Sequence, residues 1–221
     1  KTFRFGQGCV MHRCSVFAVP LLQEAETNKS HTQAVLVDST DEQELVAEGL
    51  FSSLLQCCKQ LPGQECIIFC DRRHVHRARF AVNMASIFGG GSVDEGYRRI
   101  HIKYVVPPQT ADEPPPLISA LVSLQTCTFL PAVVAVLGLS DLLSPPDVHT
   151  RRLHLAGLAI ALLADSASQL GRRKPCTVLL WDNSAKYTGT VAALLASSCQ
   201  TVWASDGVTA ERILCQGSDI A

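Results

Sequence analysis

Five short strand-like runs, apolar almost throughout and separated by segments of helical periodicity, constrain this chain more than any other feature. They are Ala34 to Val37, Cys66 to Cys70, Ile100 to Val106, Ala132 to Leu137 and Cys176 to Trp181. Runs of this length with little polar alternation fit strands buried on both faces, as parallel strands are. Between them the spacing predicts helices. One runs from Glu42 to Gln60 with Leu45, Val46, Leu50 and Leu54 on one stripe, stopped by Pro62-Gly63. A second follows Asp71 toward Phe88, broken by Gly89 to Gly91. A third covers Leu117 to Leu124, a fourth starts near Pro145-Pro146 with Asp147 as N-cap and runs to Leu170 before Gly171, and a short fifth spans Thr190 to Cys199. Thr201 to Ala204 is expected to pair with Arg212 to Cys215 across Ser205-Asp206-Gly207. The expected class is α/β, a mostly parallel sheet with helices on both faces and an antiparallel C-terminal edge. Residues 1 to 33, with a polar tract from Glu24 to Gln33, are expected to form an N-terminal extension to a single core domain over residues 34 to 221.

Composition narrows the class. At 221 residues, 47% hydrophobic and 18% charged, the chain can bury one sizeable core, and a formal net charge of -1 rules out a whole-molecule basic field for nucleic acid. Its ten cysteines are scattered through apolar runs, where Cys66, Cys70, Cys127 and Cys176 read as reduced core residues, and a reducing compartment is expected. The longest apolar stretches fall short of the ~20 residues that span a bilayer, and the given N-terminus lacks the pattern of a secretory signal.

The first strand-turn-helix junction is where a sheet of this kind holds nucleotide phosphates, using glycines for close backbone approach, a lysine and a hydroxyl. Here the turn reads Asp38-Ser39-Thr40-Asp41-Glu42-Gln43-Glu44. It has neither glycine nor lysine, and its carboxylates repel a triphosphate. No lysine anywhere in the chain follows a glycine. The fourth strand, which should end in a magnesium-holding carboxylate, ends in Leu137, with Asp141 read as a loop residue beyond it. A phosphate loop that is degenerate at Asp38, Ser39, Thr40, Asp41 and Glu42 predicts no ATPase and no cofactor.

Other chemistry is sparse. Cys66, Cys70, His74 and His76 lack C-x-x-C and H-x₃-H spacing, as do Cys9, His12 and Cys14, so no metal site is expected. No G-x-S-x-G nucleophile elbow occurs. Three basic clusters remain: Arg72, Arg73, Arg77 and Arg79; Arg98, Arg99 and Lys103; and Arg172, Arg173 and Lys174. They read either as solvated ends of helices and strands or, gathered on one face, as contacts to single-stranded DNA or a partner chain. Phe129-Leu130-Pro131-Ala132 matches an F-x-x-A pattern, with Phe129 and Ala132 as the fixed residues, and its place before a buried strand also suits core packing.

Taken in order, Gly49-Leu50-Phe51 through Asp71-Arg72-Arg73, Arg99 to Tyr104 with Pro107-Pro108, Leu158 to Leu170, Cys176 to Trp181 and Cys199 to Trp203 resemble the RecA-like recombinase paralogues, in particular the RecA-like partner of the SWIM zinc-finger protein in the animal Shu complex. The resemblance implies a RecA-like, P-loop NTPase-type fold and a nuclear heterodimer with a SWIM-type protein. It also implies promotion of recombinase filaments on single-stranded DNA during homologous recombination, and F-x-x-A is the pattern by which such recombinases dock. Many members of that family keep the phosphate loop that this chain lacks. Two other expectations stand beside it: a degenerate RecA-like subunit of an Elongator-type tRNA-modification complex, and a small-molecule enzyme using the crevice at the strand carboxyl ends, with Asp71, Asp141 or Asp182 as acid/base group.

Overall fold

The computed structural model describes residues 13–15, 31–37, 63–75, 97–110, 112–126, 129–143, 149–183, 195, 197–199, 201–205 and 209–215. Eight strands form one sheet: β1 Arg13–Ser15, β2 His31–Val37, β3 Glu65–Cys70, β4 Ile100–Tyr104, β5 Pro131–Leu137, β6 Thr177–Asn183, β7 Thr201–Ser205 and β8 Thr209–Cys215. Their order across the sheet is β1-β8-β7-β2-β6-β5-β3-β4. The six strands from β7 to β4 are mutually parallel, and only β8 runs against them, pairing antiparallel with β7 and β1. The described helices are α1 Arg72–Val75, α2 Pro116–Val122, α3 Leu139–Leu143 and α4 His149–Gly171, with 3₁₀ turns at Tyr97–Arg99 and Ser123–Thr126. This is an α/β fold with a mostly parallel sheet and an antiparallel C-terminal edge, as the apolar runs require.

The alternation of side chains along each strand divides the core. Ile67, Phe69, Val134, Val136, Val178 and Leu180 share a cluster with Leu117, Leu121, Leu155, Ala159, Ile160 and Leu163, so α2 and α4 cover that face. The intervening residues Cys66, Ile68, Val133, Ala135, Leu137, Leu179 and Trp181 are buried as well. Burial on both faces is why these strands show no polar alternation. Pro116 opens α2, where its missing N–H leaves no bond unmade, and Leu117, Leu121 and Leu124 then fall on one buried stripe. Each such side chain contributes about 1.5–3 kcal/mol by leaving water. Helix α4 buries Leu155, Ala159, Leu163, Ser166 and Leu170 at the same period. After Gly171, the backbone N–H groups of Arg172, Arg173 and Lys174 turn back onto the carbonyls of Ser168 and Leu170, satisfying the helix end.

The structure shifts several expected boundaries. The segment expected to be an extension contributes β1, whose Arg13, Cys14 and Ser15 pair with Glu211, Ala210 and Thr209. Three residues are too few to carry a periodic signal, and in the sheet their backbone pairs with β8. Strand β2 starts at His31, three polar residues before the apolar run, because β6 offers backbone partners at Thr177, Val178 and Leu179. Asp141 lies in helix α3, not in a loop. Strand β4 ends at Tyr104 and β5 begins at Pro131, whose missing N–H coincides with a register shift against β3. The expected helices over residues 42–60 and 76–88, and Asp147, lie outside the described residues. Among the described residues, no helix is long and apolar enough to cross a membrane.

Candidate functional site

Strand order determines which side chains meet. From β3 the chain leaves for β4 on one side, and from β5 it leaves for β6 on the other, so the carboxyl ends of β3 and β5 flank the crevice where open α/β sheets bind ligands. Three carboxylates named from the sequence arrive there: Asp71 after β3, Asp141 after β5, and Asp182 near the end of β6.

Asp71 is only 5% exposed and caps α1. Its Oδ1 accepts the Arg73 backbone N–H at 2.9 Å, while Oδ2 accepts from Arg73 Nε at 2.6 Å and pairs with Nη2 at 2.5 Å. That carboxylate, first by hydrogen bonding and then by charge, holds the Arg73 guanidinium above its ordinary pKa, and Asp141 adds to the effect. Arg73, three-quarters exposed, thus pairs with Asp71 at the carboxyl end of β3, where the charge of Asp141 also reaches it. Gly138 takes a φ of +71° and donates its N–H to Trp181 O at 2.8 Å, which bends the chain from β5 into α3. Asp182, 2% exposed, reaches from the neighbouring strand to the start of α3. Its Oδ2 accepts the Ser140 N–H at 2.7 Å and its Oδ1 accepts the Ser140 hydroxyl at 3.1 Å. Two of the three carboxylates therefore hold backbone in place, and chemistry at this edge starts from oxygens already engaged.

Leu137, at the strand end where a phosphate-binding sheet carries a magnesium-holding acid, is 2% exposed and sits in register with Trp181. The loop residues Asp38, Ser39, Thr40, Asp41 and Glu42 lie outside the described residues, and β2 is described to Val37, beside Asn183 of β6 and Ser205 of β7. Among the described residues, no group of three or more His, Cys, Asp or Glu side chains could hold a metal ion. Burial, aided by Asp71, pushes the Cys70 thiol up to about 12, and burial alone does the same for Cys176 and Cys199, so none of the three is a thiolate nucleophile at neutral pH.

The basic residues do not form one patch. Arg72 and Arg73 follow β3 at the carboxyl end of the sheet. Arg98 and Arg99 precede β4, and Arg172, Arg173 and Lys174 precede β6, all at the amino end, about 20 Å away along the strands. Arg77 lies outside the described residues. Phe129 is half-buried against the core with its ring 4.5 Å from that of His101, and Ala132 is buried in β5, so the F-x-x-A pattern contributes to packing in this fold. His101 Nε2 also meets Glu65 Oε2 at 2.9 Å. That link and the Ser140–Asp182 bonds were not read from the sequence. They join residues 36 and 42 positions apart, and no local pattern carries them.

The fold and this edge define an α/β protein whose crevice is occupied by its own structural hydrogen bonds. No family model matches the chain, and no curated protein matches it.

Proposed function

We propose that the chain is a non-catalytic RecA-like recombinase paralogue that pairs with a SWIM-type zinc-finger protein in a nuclear Shu-type complex. In this reading it promotes assembly of a RecA-like recombinase on single-stranded DNA in homologous recombination repair. The observation that carries the reading is the chemistry of two strand ends. In the sheet, β2 and β5 are separated by β6 alone, so their carboxyl ends stand about 10 Å apart, within reach of one magnesium-triphosphate. One of these ends leads into a sequence, Asp38 to Glu44, without glycine or lysine, and the other closes on buried Leu137. A sheet with the layout for nucleotide and without the groups to hold it suits a subunit that acts by holding partners. The basic residues at the amino end, Arg98, Arg99, Arg172, Arg173 and Lys174, are the DNA-facing or partner-facing contacts in this reading, separate from Arg72 and Arg73.

Two measurements test it. Millimolar Mg-ATP is expected to leave the melting temperature unchanged, whereas a rise of several degrees reveals a nucleotide site and overturns the non-catalytic assignment. Affinity purification of the full chain is expected to recover a SWIM-type partner, and recovery of tRNA-modification proteins in its place favours the Elongator-type subunit.

The placement of Asp71, Asp141 and Asp182 at or beyond the carboxyl ends of three adjacent strands favours a second reading, an enzyme working in the carboxyl-end crevice. Its mark is a small-molecule activity that disappears in Asp141→Asn while the fold is retained.

A further inference from the structure

Strand β4 closes one side of the sheet and differs from every strand beside it. Its inner neighbour β3 is buried from Cys66 to Cys70, while β4 is half-buried over Ile100, His101 and Ile102 and exposed at Lys103 and Tyr104, the last at 49%. Val105 donates its N–H to Cys70 O at 2.9 Å. By the alternation of backbone direction along a strand, Ile100 and Ile102 therefore turn their N–H and C=O groups away from β3, toward the outer side. Among the described residues, no strand pairs with that side.

The side chains along this edge sort by face. Ile100, Ile102 and Tyr104 line one face, in register with Cys66, Ile68 and Cys70. The other face carries His101, tied to Glu65, and Lys103, with Arg98 and Arg99 just before the strand. That charge selects the occupant. A second copy pairing antiparallel about Ile102 sets Lys103 opposite the other copy's His101, and a one-pair shift sets Lys103 against Lys103. Lys103 opposite Lys103 is a like-charge pair and destabilising, an imidazole opposite Lys103 supplies no carboxylate to pair with it, and a lysine on an edge strand is a common guard against self-pairing.

We propose that the outer edge of β4 accepts an extended strand from a partner protein, with apolar residues over Ile100, Ile102 and Tyr104 alternating with carboxylates facing Lys103 and the Arg98-Arg99 turn. Backbone hydrogen bonds supply affinity and the alternation supplies selectivity. This edge lies apart from the carboxyl-end crevice and does not depend on the recombinase reading.

The probes are fluorescent ten-residue peptides alternating valine with glutamate or valine with lysine, titrated against the full chain by anisotropy. The glutamate peptide is expected to bind and the lysine peptide to bind at least about tenfold more weakly. Lys103→Glu is expected to reverse that preference. Methylating the glutamate peptide's alternate backbone nitrogens, which leaves the protein untouched, is expected to weaken binding about tenfold. Equal binding of both peptides, no binding at about millimolar concentration, or indifference to N-methylation overturns the proposal. Concentration-dependent dimers that Ile102→Pro abolishes, since that change removes an outward N–H and leaves the ladder to β3 intact, overturn it in favour of a second copy.

Discussion

The two ends of the parallel strands use the same residue types in opposite ways. At the carboxyl end, Asp71 and Asp182 are 5% and 2% exposed and turn their oxygens onto the backbone N–H groups of Arg73 and Ser140. At the amino end, Glu65 and His101 pair with side chains 36% and 38% exposed, and Arg98, Arg172 and Arg173 stand in solvent. A buried carboxylate must have its hydrogen bonds made internally, so it becomes part of the scaffold. An exposed one exchanges its bonds with water at little cost and remains free to meet a partner. The difference teaches that the end of the sheet where α/β folds ordinarily place chemistry is here the more rigidly committed, and the opposite end presents the adaptable charge.

The sharpest way to break this comparison is to give β5 the acid it lacks. Leu137→Asp places a carboxylate where a side chain 2% exposed now packs, and it is expected to cost about 3–5 kcal/mol without creating ATP binding. Urea unfolding followed by tryptophan fluorescence measures the first, and nucleotide titration the second. A variant that stays stable and binds Mg-ATP shows the crevice to be a dormant site. Next in size is Asp182→Ala, which leaves the Ser140 N–H buried without an acceptor and is expected to cost about 2–3 kcal/mol. A loss below about 0.5 kcal/mol in the same assay contradicts a scaffold role.

A pH series tests the two ends separately, because raised thiols lie at both: Cys70 at the carboxyl end, Cys176 and Cys199 at the amino end. Burial and Asp71 raise Cys70 to about 12, while burial alone raises Cys176, just before β6, to about 12. The folded chain keeps these protons where the unfolded chain, with thiols near 9.0, gives them up. Their stabilisation is therefore complete below pH 9 and declines as pH rises toward 12, by about 1.4 kcal/mol per thiol per pH unit. Cys176→Val is expected to flatten that decline by one thiol's share. Asp71→Asn is expected to ease it at Cys70 and leave Cys176 unchanged. Equal effects of Asp71→Asn on both thiols show that charge at the carboxyl end is not local.

Much of this architecture was legible because buried parallel strands announce themselves. Ile67-Ile68-Phe69 and Val133 to Leu137 can be covered on both sides or not folded at all, and Pro116 and the spacing of Leu117, Leu121 and Leu124 leave little choice about a helix. Strand β1 was not legible, because the three residues Arg13-Cys14-Ser15 are too few to show an alternation. Helix α3 was hidden for a related reason: five residues are too few to show a period, and the group that secures its start, Asp182, comes from another strand. The three aspartates could be named as a set, since each lies at or beyond the carboxyl end of a strand, but while the Asp71–Arg73 bonds are local, the bond of Asp182 to Ser140 depends on strand order. The basic clusters mislead in the same way. In sequence each flanks a strand or helix alike, and only the topology separates Arg72-Arg73 from the five cations at the other end.

The smallest expected effect bears on the amino end. His101→Ala removes both the bond to Glu65 and the ring contact with Phe129, yet both ionisable side chains are more than a third exposed, so water and salt screen the pair. The loss is expected to stay below about 1 kcal/mol, with the ionic part vanishing in high salt and the ring contact accounting for what persists. His101→Phe separates the two, since it keeps an aromatic ring beside Phe129 and discards the pair. If His101→Phe matches the parent chain at high salt and falls slightly below it at low salt, the amino end is held by packing, with its charge available to a partner. If His101→Phe costs as much as Asp182→Ala, the pair is a scaffold element like those at the carboxyl end, and the contrast between the two ends disappears.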